Sequence, residues 1–280
     1  MTDVQNAIRG PEPFTVTADD GVVLSGEVVG KGRDVLLLHG LSATRRYVLM
    51  GSRLLEKGGF RVISYDARGH GKSQPAQSPD SYTYSTLMSD ARAVMAAVGT
   101  QSPIVVGISM GAHTAAALLG ESGNTIGAAL FITPAYSPEM IFDAESAALW
   151  DGLADALESG GPEAFVGKMD ADALDPRWRD AVRKATLQRM AQHEYPAAVA
   201  DALRAVPRSR PFESWNDLQS LDMPTAVIGS QDSADPSHPL EVAQEWAQAI
   251  PDSDLLVEED GQSPLAWRGA AISRAVQSLS

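Results

Sequence analysis

Short runs with no polar face recur along this chain, and they limit its folds more than any other feature. Val35-Leu36-Leu37-Leu38 is the clearest of them. Pro103 to Gly107, Ala128 to Ile132 and Pro224 to Gly229 read as further short, largely apolar strands. A strand that is apolar on both sides needs cover on both sides, which is the situation inside a parallel sheet. The intervening stretches have helical spacing: Tyr47 to Lys57, Leu87 to Val98, Met110 to Leu119, Leu240 to Ala249 and Ala270 to Leu279. Arg61 to Tyr65 and Asp254 to Glu258 read as further strands, and Phe14 to Thr17 with Val22 to Val29 as an opening hairpin turning at Asp19-Asp20-Gly21. Alternating strands and helices predict an α/β fold with helices on both faces of a mostly parallel sheet.

The alternation stops between about Ser137 and Leu221. Ala144 to Leu157, Pro162 to Lys168, Arg177 to Gln192 and Ala197 to Val206 are helical in pattern, with no strand among them. Such an insert predicts a lid over the carboxyl edge of the sheet, where open α/β sheets bind ligands. Its Trp150, Phe165, Trp178, Met190, Tyr195 and Trp215 are read first as packing residues.

Composition narrows the function. The 280 residues carry 22 Lys+Arg against 36 Asp+Glu, a formal charge of -14. So acidic a surface repels phosphate backbones and anionic lipids, which argues against nucleic-acid and membrane-surface partners. Absence of cysteine excludes disulfides, thiolate nucleophiles and Cys-based metal sites. Met1 to Asn6 lacks the apolar core of a signal peptide, and no apolar run approaches the ~18 residues of a membrane span. A cytoplasmic location is the expectation. No histidine pair has metal-ligand spacing with a carboxylate, so no metal and no cofactor is expected.

The chemistry concentrates at Gly107-Ile108-Ser109-Met110-Gly111, between a strand and a helix. In that context Gly-x-Ser-x-Gly forms a sharp turn that lifts the serine hydroxyl above the sheet edge, while glycines let neighbouring backbone approach. The N–H of Met110 then points where an oxyanion would form. A second donor is expected from Leu41, in His39-Gly40-Leu41 after the strand Val35 to Leu38. His39 reads as a loop-shaping residue. Asp66-Ala67-Arg68-Gly69-His70-Gly71-Lys72-Ser73 reads as a tight loop whose charges pair among themselves.

These three segments, in this order, resemble the α/β-hydrolase superfamily, and more narrowly its capped esterase, lipase and epoxide-hydrolase-like branch. The resemblance covers nearly the whole chain after the first dozen residues. It implies an eight-stranded, mostly parallel sheet, a core of residues 1–136 and 222–280, and a helical cap at 137–221, inserted before the seventh strand. It also implies a triad in the order nucleophile, acid, histidine. Ser109 takes the nucleophile's place. Asp232 takes the acid's place, in Gly229-Ser230-Gln231-Asp232, with Asp235 as fallback.

The pattern breaks at the base. After the last strand comes Glu258-Glu259-Asp260-Gly261-Gln262-Ser263-Pro264, with Gln262 in the usual histidine position, and no histidine follows His238. A carboxamide orients a hydroxyl but accepts no proton near neutral pH. His238, in the same loop as Asp232, is the alternative base; His113 reads as packed, His70 as structural and His193 as exposed. The expectation is therefore an enzyme with a degenerate triad, acting through Ser109 on a small, largely apolar ester, thioester or lactone. The alternatives are a lyase, isomerase or cyclase that uses the oxyanion hole, or an inactive ligand-binding relative. The partner is a small molecule, and a homo-oligomer is left open.

Overall fold

The computed structural model describes residues 10–122, 125–169, 176–232, 234–262 and 264–280. The sequence reading of Met1 to Asn6 falls outside them, as do Ser233 and Ser263. Eight strands form one sheet in the order β1-β2-β4-β3-β5-β6-β7-β8. They are β1 (Glu12–Thr17), β2 (Val23–Gly30), β3 (Arg33–Leu38), β4 (Phe60–Tyr65), β5 (Ile104–Ile108), β6 (Ala128–Ile132), β7 (Thr225–Ile228) and β8 (Asp254–Leu256). The opening hairpin is antiparallel, and every pair from β4 through β8 is parallel.

Side-chain alternation explains the all-apolar runs. Leu36 and Leu38 of β3, Val105 of β5, Phe131 of β6 and Val227 of β7 enter one core. Their neighbours Val35, Leu37, Ile104, Val106, Leu130 and Ile228 enter the other. Successive residues point to opposite faces, so a strand covered on both sides turns apolar side chains into both cores. The first core is shared with α2 (Tyr84–Val98), α3 (Met110–Ser122), α7 (Trp215–Gln219) and α8 (Leu240–Ala249); the second with α1 (Leu54–Lys57) and α9 (Gly269–Ser278).

Between β6 and β7 lie α4 (Ala144–Lys168), α5 (Arg179–Met190), α6 (Pro196–Ala205) and the short α7. Inside α4 the backbone leaves helical geometry at Gly161, with φ 67 and ψ −161, just before Pro162. The sequence expectation of two helices there reflects that break. Ala154, Leu157, Phe165, Met190, Val199 and Leu203 form a separate core of the insertion, against which Leu41 packs. Ala198 and Ala202 of α6 meet Met110 on the sheet side. The insertion thus rests on the two residues expected to supply oxyanion donors.

Two expectations about local structure are corrected. Tyr47 to Lys57 is not one helix: a 3-10 turn at Arg45–Tyr47 is followed by the single turn α1, with Gly51 at φ 80 between them. Nor do the charges of the Asp66–Ser73 loop pair with one another. Arg68, almost wholly buried, forks onto Asp90 of α2 at 2.7 and 2.8 Å and reaches Asp20 at 2.7 Å. Asp66 pairs with Arg45.

Candidate active site

Ser109 follows β5 with φ 52, in the left-handed region that an L-residue enters only under constraint. The constraint is visible. A Cβ on Gly107 would lie 2.1 Å from the Gly111 oxygen, and one on Gly111 would lie 2.1 Å from the Leu38 oxygen. Only hydrogen fits at either place. The Ser109 N–H donates to the Ile132 oxygen at 2.9 Å, and its carbonyl accepts from His113 N–H at 3.1 Å. The turn is fastened on both sides.

β3 and β5 are neighbours, with Leu38 in register with Gly107. The loop leaving β3 therefore passes beside the loop leaving β5, and a Cβ on Gly40 would come within 3.4 Å of the Ser109 Cβ. The N–H groups of Leu41 and Met110 donate to no protein acceptor among the described residues. Two unspent donors thus flank the serine.

The ring that reaches Ser109 is His238. Its Nε2 lies 2.8 Å from the Ser109 Oγ, and its Nδ1 lies 2.6 Å from the Asp235 Oδ2. With Nδ1–H donated to the carboxylate, Nε2 is the acceptor for the serine hydroxyl. Burial raises the Asp235 carboxyl, but hydrogen bonds from His238 and Ser237 and the charge of His238 outweigh it and hold the group below its ordinary value. The Ser237 hydroxyl donates to Asp235 Oδ1 at 2.7 Å, and the His238 N–H to the Asp235 oxygen at 3.3 Å. Acid and imidazole come from one tight turn, three residues apart. An open cleft of about 280 Å³ lies against Asp235 and His238.

The two residues expected in these roles lie elsewhere. Asp232 Oδ1 accepts from the Ala234 N–H at 3.1 Å, an Asx-type turn, and the Asp232 carboxyl is raised by burial. Gln262 is exposed; its side chain donates to Glu259 Oε2 at 2.9 Å, and its N–H to the Glu259 oxygen at 3.0 Å. It closes a turn on itself, beyond β8, and does not reach the serine. The imidazole at Ser109 comes instead from the loop after β7. The expectation of a glutamine beside Ser109 is corrected to that extent.

The other four of the five histidines are buried. His39 donates from Nδ1 to the Gly40 oxygen and accepts at Nε2 from the Ala67 N–H. His70 donates to the Arg68 oxygen and accepts from the Ser42 N–H at 3.2 Å. His113 meets the Tyr84 hydroxyl at 2.8 Å and accepts from the Ala135 N–H. His193, expected to be exposed, is buried: it accepts from the Gly71 N–H at 2.9 Å and donates to the Ser42 oxygen at 3.1 Å. Desolvation pushes His70 and His113 down to about 3 and His193 to about 4. Each ring is neutral, with one nitrogen donating and the other accepting.

Ser42 follows Leu41 and is itself left-handed, at φ 58. Both of its backbone groups are held, the N–H by His70 of the core and the carbonyl by His193 of the insertion. Sequence reasoning did not find this clamp, because it joins residues far apart in the chain. Asp235-x-x-His238 left a better signal: acid and base three residues apart, with Pro236 between them and Pro239 directly after.

Comparison with known proteins agrees with this architecture. The Alpha/beta hydrolase family matches residues 35–271. A putative non-heme chloroperoxidase from Synechocystis sp. is 26% identical over 258 residues, 87% of this chain and 89% of that protein. A 3-oxoadipate enol-lactonase from Acinetobacter baylyi is 31% identical over 187 residues, 64% of this chain and 63% of the other. Among solved structures, an esterase from Thermogutta terrifontis superposes with a TM-score of 0.76 at 24% identity, covering 95% of this chain and 97% of the esterase.

Proposed function

The chain belongs to the alpha/beta hydrolase family, and from that premise we propose that it hydrolyses a small carboxylic ester or lactone. Ser109 is the nucleophile, His238 the general base and Asp235 the acid that orients it. The observation that carries this reading is the 2.8 Å contact between His238 Nε2 and Ser109 Oγ. A serine hydroxyl attacks a carbonyl only when a neighbour takes its proton, and an imidazole at hydrogen-bond distance is placed to do so.

The steps balance within this site. Ser109 Oγ bonds to the carbonyl carbon while its proton moves to His238 Nε2. The carbonyl oxygen becomes an oxyanion between the Leu41 and Met110 N–H groups, each such donor contributing on the order of 10²–10³ in rate. The tetrahedral adduct collapses, His238 returns the proton to the leaving alkoxide, and the acyl group stays on Ser109. Water then repeats the sequence, giving up its proton to His238 and releasing the acid. Asp235 keeps its negative charge throughout and stabilises the imidazolium.

The insertion, residues 137–221, serves in this reading as the cap over the acyl group, since α6 packs on Met110 and the cap core on Leu41. Relatives and structural neighbours include an esterase, enol-lactonases and a non-heme chloroperoxidase. Ester and lactone cleavage share the acyl-serine chemistry that this site is built for. An imidazole in contact with Ser109 supports hydrolysis over a lyase-like or purely ligand-binding role.

The test is covalent labelling. A fluorophosphonate should attach once, at Ser109, as read by mass spectrometry of the digested protein, and Ser109→Ala should abolish the adduct. An unlabelled Ser109 after prolonged incubation would sink the proposal.

A further inference from the structure

One cation near the site lacks an anion. Arg189 lies in the last turn of α5, and its Nε is buried without a hydrogen-bond partner. It makes no ion pair among the described residues. The following residues fix where this turn sits. Met190 is buried in the cluster against which Leu41 packs. His193 binds the Ser42 oxygen at 3.1 Å, and the Glu194 N–H donates to the Gly71 oxygen at 2.8 Å. The end of α5 is therefore seated on the loop that carries the Leu41 donor. From the other side, Tyr47 and the Asp235 carboxylate lie within electrostatic reach of Arg189.

Asp235 is not free to pair with it. One of its oxygens holds His238 and the other Ser237. A guanidinium whose Nε is cut off from water and from any acceptor is unfavourable. It also draws on the Asp235 carboxylate, whose charge is needed to stabilise the imidazolium that forms during acyl transfer. A ligand carboxylate against Arg189 would relieve both effects, and a guanidinium matches a carboxylate in planar, two-point geometry. On a chain with net charge -14, such a local cation is also what an anionic substrate needs to overcome the repulsive surface.

We propose that Arg189 anchors a carboxylate on the substrate, so that the preferred substrate is an ester or lactone with a free acid group remote from the scissile carbonyl. This rests on the hydrolase reading above and narrows it.

The experiment compares two esters on the full chain: mono-p-nitrophenyl glutarate, and the same compound with its free acid capped as a methyl ester. The free acid should have a kcat/KM at least tenfold higher, and added salt should shrink the ratio by screening. Arg189→Gln should bring the ratio to about one, and Arg189→Lys should retain part of it. A ratio near one in the parent protein, or an unchanged ratio in Arg189→Gln, overturns the anchor. The parent ratio and its salt dependence need no variant to fold. Hydrolysis without charge preference defeats the anchor alone. Hydrolysis of neither ester, with Ser109 unlabelled by a fluorophosphonate, defeats the hydrolase reading and the anchor with it.

Discussion

An imidazole serves as a base only if one nitrogen is tied down and the other is free to accept. His238 meets both conditions: Asp235 holds Nδ1 at 2.6 Å, and Nε2 faces Ser109. The remaining four histidines fail them, because both of their nitrogens are already spent on protein groups. This argument yields a graded set of variants. His238→Ala should lower kcat on a short p-nitrophenyl ester by about 10⁴-fold or more, and Asp235→Asn by a comparable factor through the wrong tautomer. Asp232→Asn should stay within about tenfold of the parent, since its carboxylate only closes a turn. Gln262→His should gain nothing, because that side chain is turned toward Glu259. A large gain in Gln262→His would restore the conventional position and refute the present assignment.

Between elements, the decisive contact is the one joining α5 to the loop after β3. His193 bridges the Gly71 N–H and the Ser42 oxygen, and thereby closes the insertion onto a left-handed residue adjacent to the Leu41 donor. His193→Ala leaves those two backbone groups without their partner, at roughly 1–3 kcal/mol for each one that water fails to reach. A urea titration should register that loss. Steady-state kinetics should show a fall in kcat larger than any rise in KM, because an oxyanion donor acts in the transition state and not in substrate binding. An unchanged kcat would separate the seating of the insertion from the geometry of the Leu41 donor. The buried fork from Arg68 to Asp90 has a different part: it ties the loop after β4 to α2.

Taken together, the buried histidines make the molecule acid-sensitive. His70, His113 and His193 are held neutral, with folded values near 3, 3 and 4 against an ordinary 6.5. The unfolded chain therefore binds more protons than the native one between about pH 6.5 and pH 3–4. Stability is complete above pH 6.5 and declines as the pH falls through that window. The slope is about 1.4 kcal/mol per pH unit for each fully titrating histidine. Unfolding by urea at pH 7 and pH 5 should show this directly, with the midpoint clearly lower at pH 5. A midpoint that does not move between those values would mean that the three rings are not neutral in the native state.

Much of this was legible in one dimension. Apolar runs without a polar face require a sheet covered on both sides, and the elbow at Gly107 to Gly111 requires its two glycines, because a Cβ there would meet main-chain oxygen. Those are local demands, and residue type and spacing express them. The base was not legible in the same way. The usual position holds Gln262, and chain order does not say that the turn after β7 brings His238 within 2.8 Å of a serine 129 residues away. The same holds for His193 on Ser42. A hydrogen bond depends on where two atoms stand in space, and the chain order of those atoms carries no such distance until the sheet has set it.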